Sequence, residues 1–147
     1  MSDRAAPRSG PAKILIVDDE RDIVEYLSMA LEDAGFKAAG LAGTQGALEW
    51  IAAERPDLVL LDVMMPGHTG LSLYRAMREG EATKRIPVVI ISGYARKEDV
   101  AKMGLGELES GGLPPPDGYL EKPITVPTLL ATLRRLLERD EIRSGKE

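Results

Sequence analysis

The chain has 147 residues, 44% hydrophobic and 29% charged, with a formal net charge of -5, the size and balance of one domain that buries its own core. The acidic balance argues against a general nucleic-acid binder, and the absence of Cys excludes a disulfide frame, a thiolate metal site and a thiol nucleophile. No apolar run approaches the roughly 20 residues of a membrane-spanning helix, and Arg4 and Arg8 are not followed by a signal-peptide core, so a cytoplasmic protein with no membrane or direct nucleic-acid partner is expected.

Residues 1–12, rich in Pro, Ser, Gly and Arg, read as a disordered leader. Lys13 to Val17 is apolar on both faces, as in a strand of a parallel sheet, and ends at Asp18-Asp19-Glu20. Arg21 to Ala34 is helical by the stripe Val24, Leu27, Leu31, Ala34, with Gly35 as its stop. Phe36 to Leu41 is a weak strand, suited to an edge. Thr44 is placed to cap a helix running through Arg55. Leu58 to Leu61 is a second two-faced strand and delivers Asp62 to its end. Leu71, Leu73, Tyr74 and Met77 mark a helix over 70–79. Ile86 to Ser92 is a third apolar strand, and Arg96 to Met103 a short helix. Gly104 to Gly118 holds five Gly and three consecutive Pro, so no packed element is expected there. Tyr119 to Glu121 is a short strand ending at Lys122-Pro123. Thr125 caps a last helix to about Arg139, and residues 140–147 read as a charged tail.

Five strand–helix units in alternation specify an α/β domain with helices on both faces of a parallel sheet. Right-handed crossovers leave few topologies. The flavodoxin-like (βα)5 doubly wound order 2-1-3-4-5 suits five units, over residues 13–139 as a single domain. It sets the first and third strands side by side where the winding reverses.

That order brings Asp18, Asp19 and Asp62 to one edge, joined by Ser92 from the fourth strand and Lys122 from the fifth. Carboxylates about 4 Å apart repel by about 4 kcal/mol per pair at an effective dielectric near 20. A hard divalent cation relieves this. The residue types suggest Mg²⁺ between Asp19 and Asp62, with Asp18 acting partly through water. A carboxylate beside Mg²⁺ can attack phosphorus and form an acyl phosphate. Lys122 offers a positive charge to the phosphoryl oxygens and Ser92 a donor. No base stands ready to activate water.

In these residues the chain resembles the receiver domain of two-component response regulators, the CheY-like fold. The resemblance rests on Asp18-Asp19, Asp62 with Met65-Pro66 and Gly70, Ser92-Gly93, and Tyr119 three residues before Lys122-Pro123. It implies that Asp62 is the phosphoacceptor. It implies Mg²⁺ on Asp18, Asp19, Asp62 and the Met64 backbone carbonyl. Ser92 and Lys122 would sense the phosphoryl group, and Tyr119 would swing inward with Ser92. The phosphoryl donor would be a sensor histidine kinase or a histidine phosphotransfer protein, and the output a partner protein. A monomer or weak homodimer is expected, stand-alone or cut from a longer protein.

Two other readings compete. A pseudo-receiver would bind partners without phosphorylation. An aspartyl-phosphate hydrolase of the haloacid-dehalogenase kind would need a second acid two residues after the nucleophile, where this chain has Met64. His68, the only His, reads as a surface loop residue. Ile23, Tyr26 and Ala30 form a second apolar stripe on the first helix, either packed on a neighbour or, through Ile23 and Tyr26, docking a helix of the phosphodonor. The 104–118 segment is longer than receivers usually have and reads as an insertion, either partner-specific or merely tolerated.

Overall fold

Two strand segments are apolar at every position before the final polar residue, and they become the middle of the sheet. The computed structural model describes residues 10–93 and 105–145, and of His68, Glu107 and residues 140–145 only the backbone. β3 (Leu58–Asp62) and β4 (Val88–Ser92) are buried along their whole length, and β1 (Lys13–Val17) everywhere but Lys13. β2 (Lys37–Leu41) and β5 (Gly118–Glu121), short of bulky apolar residues, lie at the two edges. All pairs are parallel, in the order β2-β1-β3-β4-β5, with Val17 opposite Leu61 and Asp62 opposite Ile91. This is the expected flavodoxin-like order.

Alternate strand residues serve two separate cores, as the two-residue period of a strand dictates. Leu15, Val17, Val59, Leu61 and Ile90 face α2 (Ala47–Glu54) and α3 (Thr69–Glu79), meeting Ile51, Tyr74 and Met77. Ile14, Ile16, Leu60, Val89 and Ile91 face α1 (Arg21–Asp33) and the last helix, meeting Leu27, Leu31, Leu129, Leu133 and Leu136. Each such aliphatic side chain contributes about 1.5–3 kcal/mol when fully buried, which compensates for a core with few aromatics.

Three sequence expectations are corrected. Thr44 does not cap α2: the helix starts at Ala47 because Gly46 adopts φ +75°, a left-handed turn that a helix cannot run through, and only the Thr44 carbonyl bonds the Ala47 N–H. The last helix, α5 (Val126–Gly145), is capped as expected, with Thr125 Oγ1 accepting the Thr128 N–H at 3.4 Å. It runs past Arg139 to Gly145, since no Gly or Pro interrupts it between Pro127 and Gly145. The Gly-rich segment does hold a packed element, α4 (Gly106–Ser110), with Leu105 fully buried and Leu108 packed on the α2/α3 core. The helix expected over 96–103 lies outside the described residues.

The chain between α4 and β5 is fastened at the foot of the sheet. The Tyr74 hydroxyl donates to the Pro114 carbonyl. Arg78, its side chain 5% exposed, lies over the Tyr74 ring. It donates to the carbonyls of Lys84 at 3.0 Å and Ile86 at 2.8 Å, and its Nη2 meets Asp117 Oδ2 at 3.0 Å. Asp117 also accepts the Val88 N–H at 2.9 Å and Arg139 Nη2 at 2.9 Å. One carboxylate thus ties α3, β4, β5 and α5 together.

Candidate functional site

At the opposite, carboxyl end of the sheet the register carries Asp18 and Asp62 just past the paired residues Val17 and Leu61. Both acids are buried, at 0% and 1% exposure. Each turns one oxygen back on its own loop. Asp18 Oδ1 accepts the Glu20 N–H at 2.9 Å, and Asp62 Oδ1 accepts the Met64 N–H at 2.8 Å. These are local Asx turns, which an acid at a strand end readily forms. Each second oxygen faces Lys122 Nζ, at 2.9 Å for Asp18 Oδ2 and 3.6 Å for Asp62 Oδ2. Glu20 Oε1 completes the ring around the ammonium at 2.9 Å.

Three elements place these groups. The Lys122 N–H donates to the Ser92 carbonyl at 2.7 Å, which fixes the loop after β5 to the end of β4. The Tyr26 hydroxyl donates to the Ile124 carbonyl at 2.9 Å, which holds the same loop to α1. Gly70 lets α3 start directly against the Asp62 loop. A Cβ there would land on the Asp62 carbonyl oxygen and 3.0 Å from Val63 Cα.

The charges are unevenly balanced. Burial pushes the Asp62 carboxyl up from 3.8 to about 6; the Asp18 charge adds to this, and the Met64 N–H and Lys122 oppose it. Burial works against the Lys122 charge too, but its contacts with Asp18 and Glu20 and the charge of Asp62 hold it above the ordinary lysine value. Asp18 Oδ2 has this ion pair and no hydrogen bond to satisfy it. Among the described residues, Asp18, Asp19 and Glu20 can bring carboxylate oxygens within 4.8 Å of one another, with Asp19 and Glu20 at the surface. Asp18, buried, and Asp19, at the surface, are neighbouring hard-oxygen donors of the kind that fits a divalent cation.

Of the residues singled out from sequence, Asp18, Asp62 and Lys122 come together at one point. Asp19 joins the acidic group from the solvent side, whereas Asp62 stands outside that group and meets it through Lys122. Ser92 is buried at the end of β4. Tyr119 is half-buried against the α2/α3 core with its hydroxyl oxygen buried. Burial, with the Glu109 charge and Tyr74, pushes that hydroxyl up to about 12. Met64 is 39% exposed beside Asp62. Ile23 and Ala30 pack on the α1/α5 core, whereas Tyr26 remains 44% exposed. His68 sits in a 3-10 turn, Pro66–His68. In the sequence Glu20 stands only as the third acid after the first strand, and that position is the one signal of its place here.

A doubly wound five-stranded sheet with paired acids and a lysine at its carboxyl edge is the arrangement that the resemblance to receiver domains led us to expect. The sequence model of the response regulator receiver domain matches residues 14–134, and the chain belongs to that family. Its members are signalling switches of two-component systems and not turnover enzymes. The chain is 39% identical over 126 residues to the phosphate regulon transcriptional regulatory protein PhoB of Pseudomonas aeruginosa, covering 86% of this chain and 52% of that protein. It is 37% identical over 129 residues to the DNA-binding response regulator MtrA of Mycolicibacterium smegmatis, covering 88% and 52%. It therefore spans about half the length of these relatives. The structure is similar to that of the chemotaxis response regulator CheY4 of Vibrio cholerae, with a TM-score of 0.72 at 32% identity, covering 86% of this chain and 98% of that one. No helix among the described residues is long and apolar enough to cross a membrane.

Proposed function

We propose that this chain is a phosphorylation-driven switch whose phosphoacceptor is Asp62. The observation that carries the reading is the buried Asp62 carboxylate, with one oxygen held by the Met64 N–H and the other 3.6 Å from the Lys122 ammonium. The phosphoryl donor is a phosphohistidine on a sensor histidine kinase or histidine phosphotransfer protein. Asp62 Oδ2 attacks phosphorus, the O–P bond forms, the P–N bond breaks, and the imidazole nitrogen keeps the electron pair. Lys122 neutralises the phosphoryl oxygens. Asp18, Asp19 and Asp62 with the Met64 carbonyl would hold Mg²⁺, which would supply charge neutralisation at the acidic edge.

The switch follows from what the residues touch. Ser92 carries the carbonyl that holds Lys122, so a pull on either side chain is felt by both loops. Tyr119, on the strand that leads into Lys122, moves with them. Moving a two-state domain from 1:99 to 99:1 takes about 5.5 kcal/mol of differential interaction. One or two charge-assisted hydrogen bonds at about 1.5–3 kcal/mol each reach that scale. Ile23 and Tyr26 border the site on α1 and dock the phosphodonor. The output is regulation of a partner protein by a monomer or weak homodimer in the cytoplasm. Two residues after Asp62 the chain has Met64 and no acid or amide to orient water, so the phosphoryl group persists for minutes or longer.

The test is phosphorylation by a small-molecule phosphodonor with Mg²⁺. Wild type acquires hydroxylamine-labile phosphate and Asp62→Asn acquires none; label retained by the Asn variant refutes the assignment.

A further inference from the structure

Glu20 is the member of the lysine cluster that phosphoryl transfer leaves unused. It occupies the N-cap position of α1, yet its side chain makes no capping hydrogen bond. Residues that favour this position are those that do cap. Its backbone is fully engaged: the N–H goes to Asp18 Oδ1, and the carbonyl accepts the Ile23 and Val24 N–H groups at 3.1 and 3.2 Å. The side chain instead reaches Lys122 Nζ at 2.9 Å, from the solvent side of the site. Asp18 holds the same ammonium from below at the same distance, while Asp62 is the farthest of the three carboxylates.

We propose that Glu20 is a positioning residue that parks Lys122 away from Asp62 in the unphosphorylated domain, so that a phosphoryl group at Asp62 must compete with the Glu20 carboxylate for the lysine. The proposal rests on Asp62 being the phosphoacceptor. Two observations support it. The ammonium lies 0.7 Å nearer to Asp18 and Glu20 than to Asp62 (2.9 against 3.6 Å). The Glu20 side chain is 62% exposed, so its hold is weak enough to yield and is open to screening by salt. An Asp at this position, one methylene shorter and a favoured N-cap, is expected to turn to the α1 N–H groups instead of the lysine.

The experiment is beryllofluoride binding to the full chain, followed by ¹⁹F NMR at saturating Mg²⁺, for wild type, Glu20→Gln and Glu20→Asp. Release of one half-exposed ion pair tightens binding by about two- to fivefold. Both variants are expected to show it, and wild-type affinity is expected to approach theirs as salt is raised from low to about 0.5 M. Glu20→Asp behaving as wild type overturns the proposal, because charge without reach would then suffice. Glu20→Gln with unchanged or weaker binding overturns it as well. Beryllofluoride failing to bind wild type at all refutes the phosphoacceptor reading itself. The Lys122 Nζ resonance supplies a readout that altered fold stability does not move: it shifts in both variants before any beryllofluoride is added.

Discussion

The Asp117 clasp is the structure's strongest claim about stability away from the site. Asp117→Ala removes one carboxylate and leaves three donors. The Arg78 guanidinium, 5% exposed, loses its only anionic partner among the described contacts; breaking a buried pair in this way costs about 3–5 kcal/mol. The Val88 N–H, bonded to the same oxygen at 2.9 Å, is left unpaired at about 1–3 kcal/mol. Arg139, 46% exposed, adds at most about 1 kcal/mol. These losses overlap because one oxygen serves both Arg78 and Val88, so a total near 4 kcal/mol is expected. Against a typical domain stability of about 5–15 kcal/mol this is severe. With a urea slope of about 2 kcal/mol per molar, the midpoint falls by about 2 M. Asp117→Asn, which keeps one acceptor, loses about half as much, and Arg139→Ala under 1 kcal/mol. Urea unfolding of the three variants separates these values. An Asp117→Ala loss no larger than that of Arg139→Ala would refute the buried-pair reasoning.

Asp62 makes a pH prediction. Its carboxyl titrates near 6 in the folded chain and near 3.8 when exposed, so between those values the folded state holds a proton that the unfolded state has released. Its contribution to stability therefore declines as pH rises from about 4 to 6, and the penalty is complete above 6. In a chelator, Asp62→Asn is expected to be more stable than wild type by about 1–3 kcal/mol at pH 7.5, with the gap closing toward pH 4; a gap that is constant with pH contradicts the assignment. Mg²⁺ raises the unfolding midpoint of wild type by mass action and raises that of Asp62→Asn less. Gly70→Ala, which drives a methyl into the Asp62 carbonyl, is expected to cost about 1–3 kcal/mol and to slow phosphorylation; thermal melting with a small-molecule phosphodonor assay reads both. Once formed, the acyl phosphate should outlast minutes in wild type and decay faster in Met64→Asn, where a carboxamide can orient water; a wild-type half-life of seconds speaks against this.

The strands and their order were legible because β1, β3 and β4 are apolar on both faces, which only a sheet covered twice can use. Asp18, Asp62 and Lys122 were legible because strand ends in such a sheet share one edge. What escaped has no local periodicity. Leu105 and Leu108 are an apolar pair three residues apart, interrupted by Gly106, too short to read as a helix. Gly46 overruled Thr44 as the start of α2 through its backbone, not its side chain. Arg78 and Asp117 are separated by 39 positions, and Glu20 and Lys122 by 102, so neither partnership leaves a spacing to detect.

The lysine comes from the last strand of the sheet, and this orders events during synthesis. Asp18 and Asp62 leave the ribosome well before Lys122, which follows after several seconds at about 5–20 residues per second. Until then the edge where the acids of β1 and β3 lie side by side lacks the lysine's counter-charge. Docking of β5 brings that counter-charge to the two acids. The edge where Asp18, Asp62 and Lys122 meet therefore closes only when the last strand of the sheet is in place.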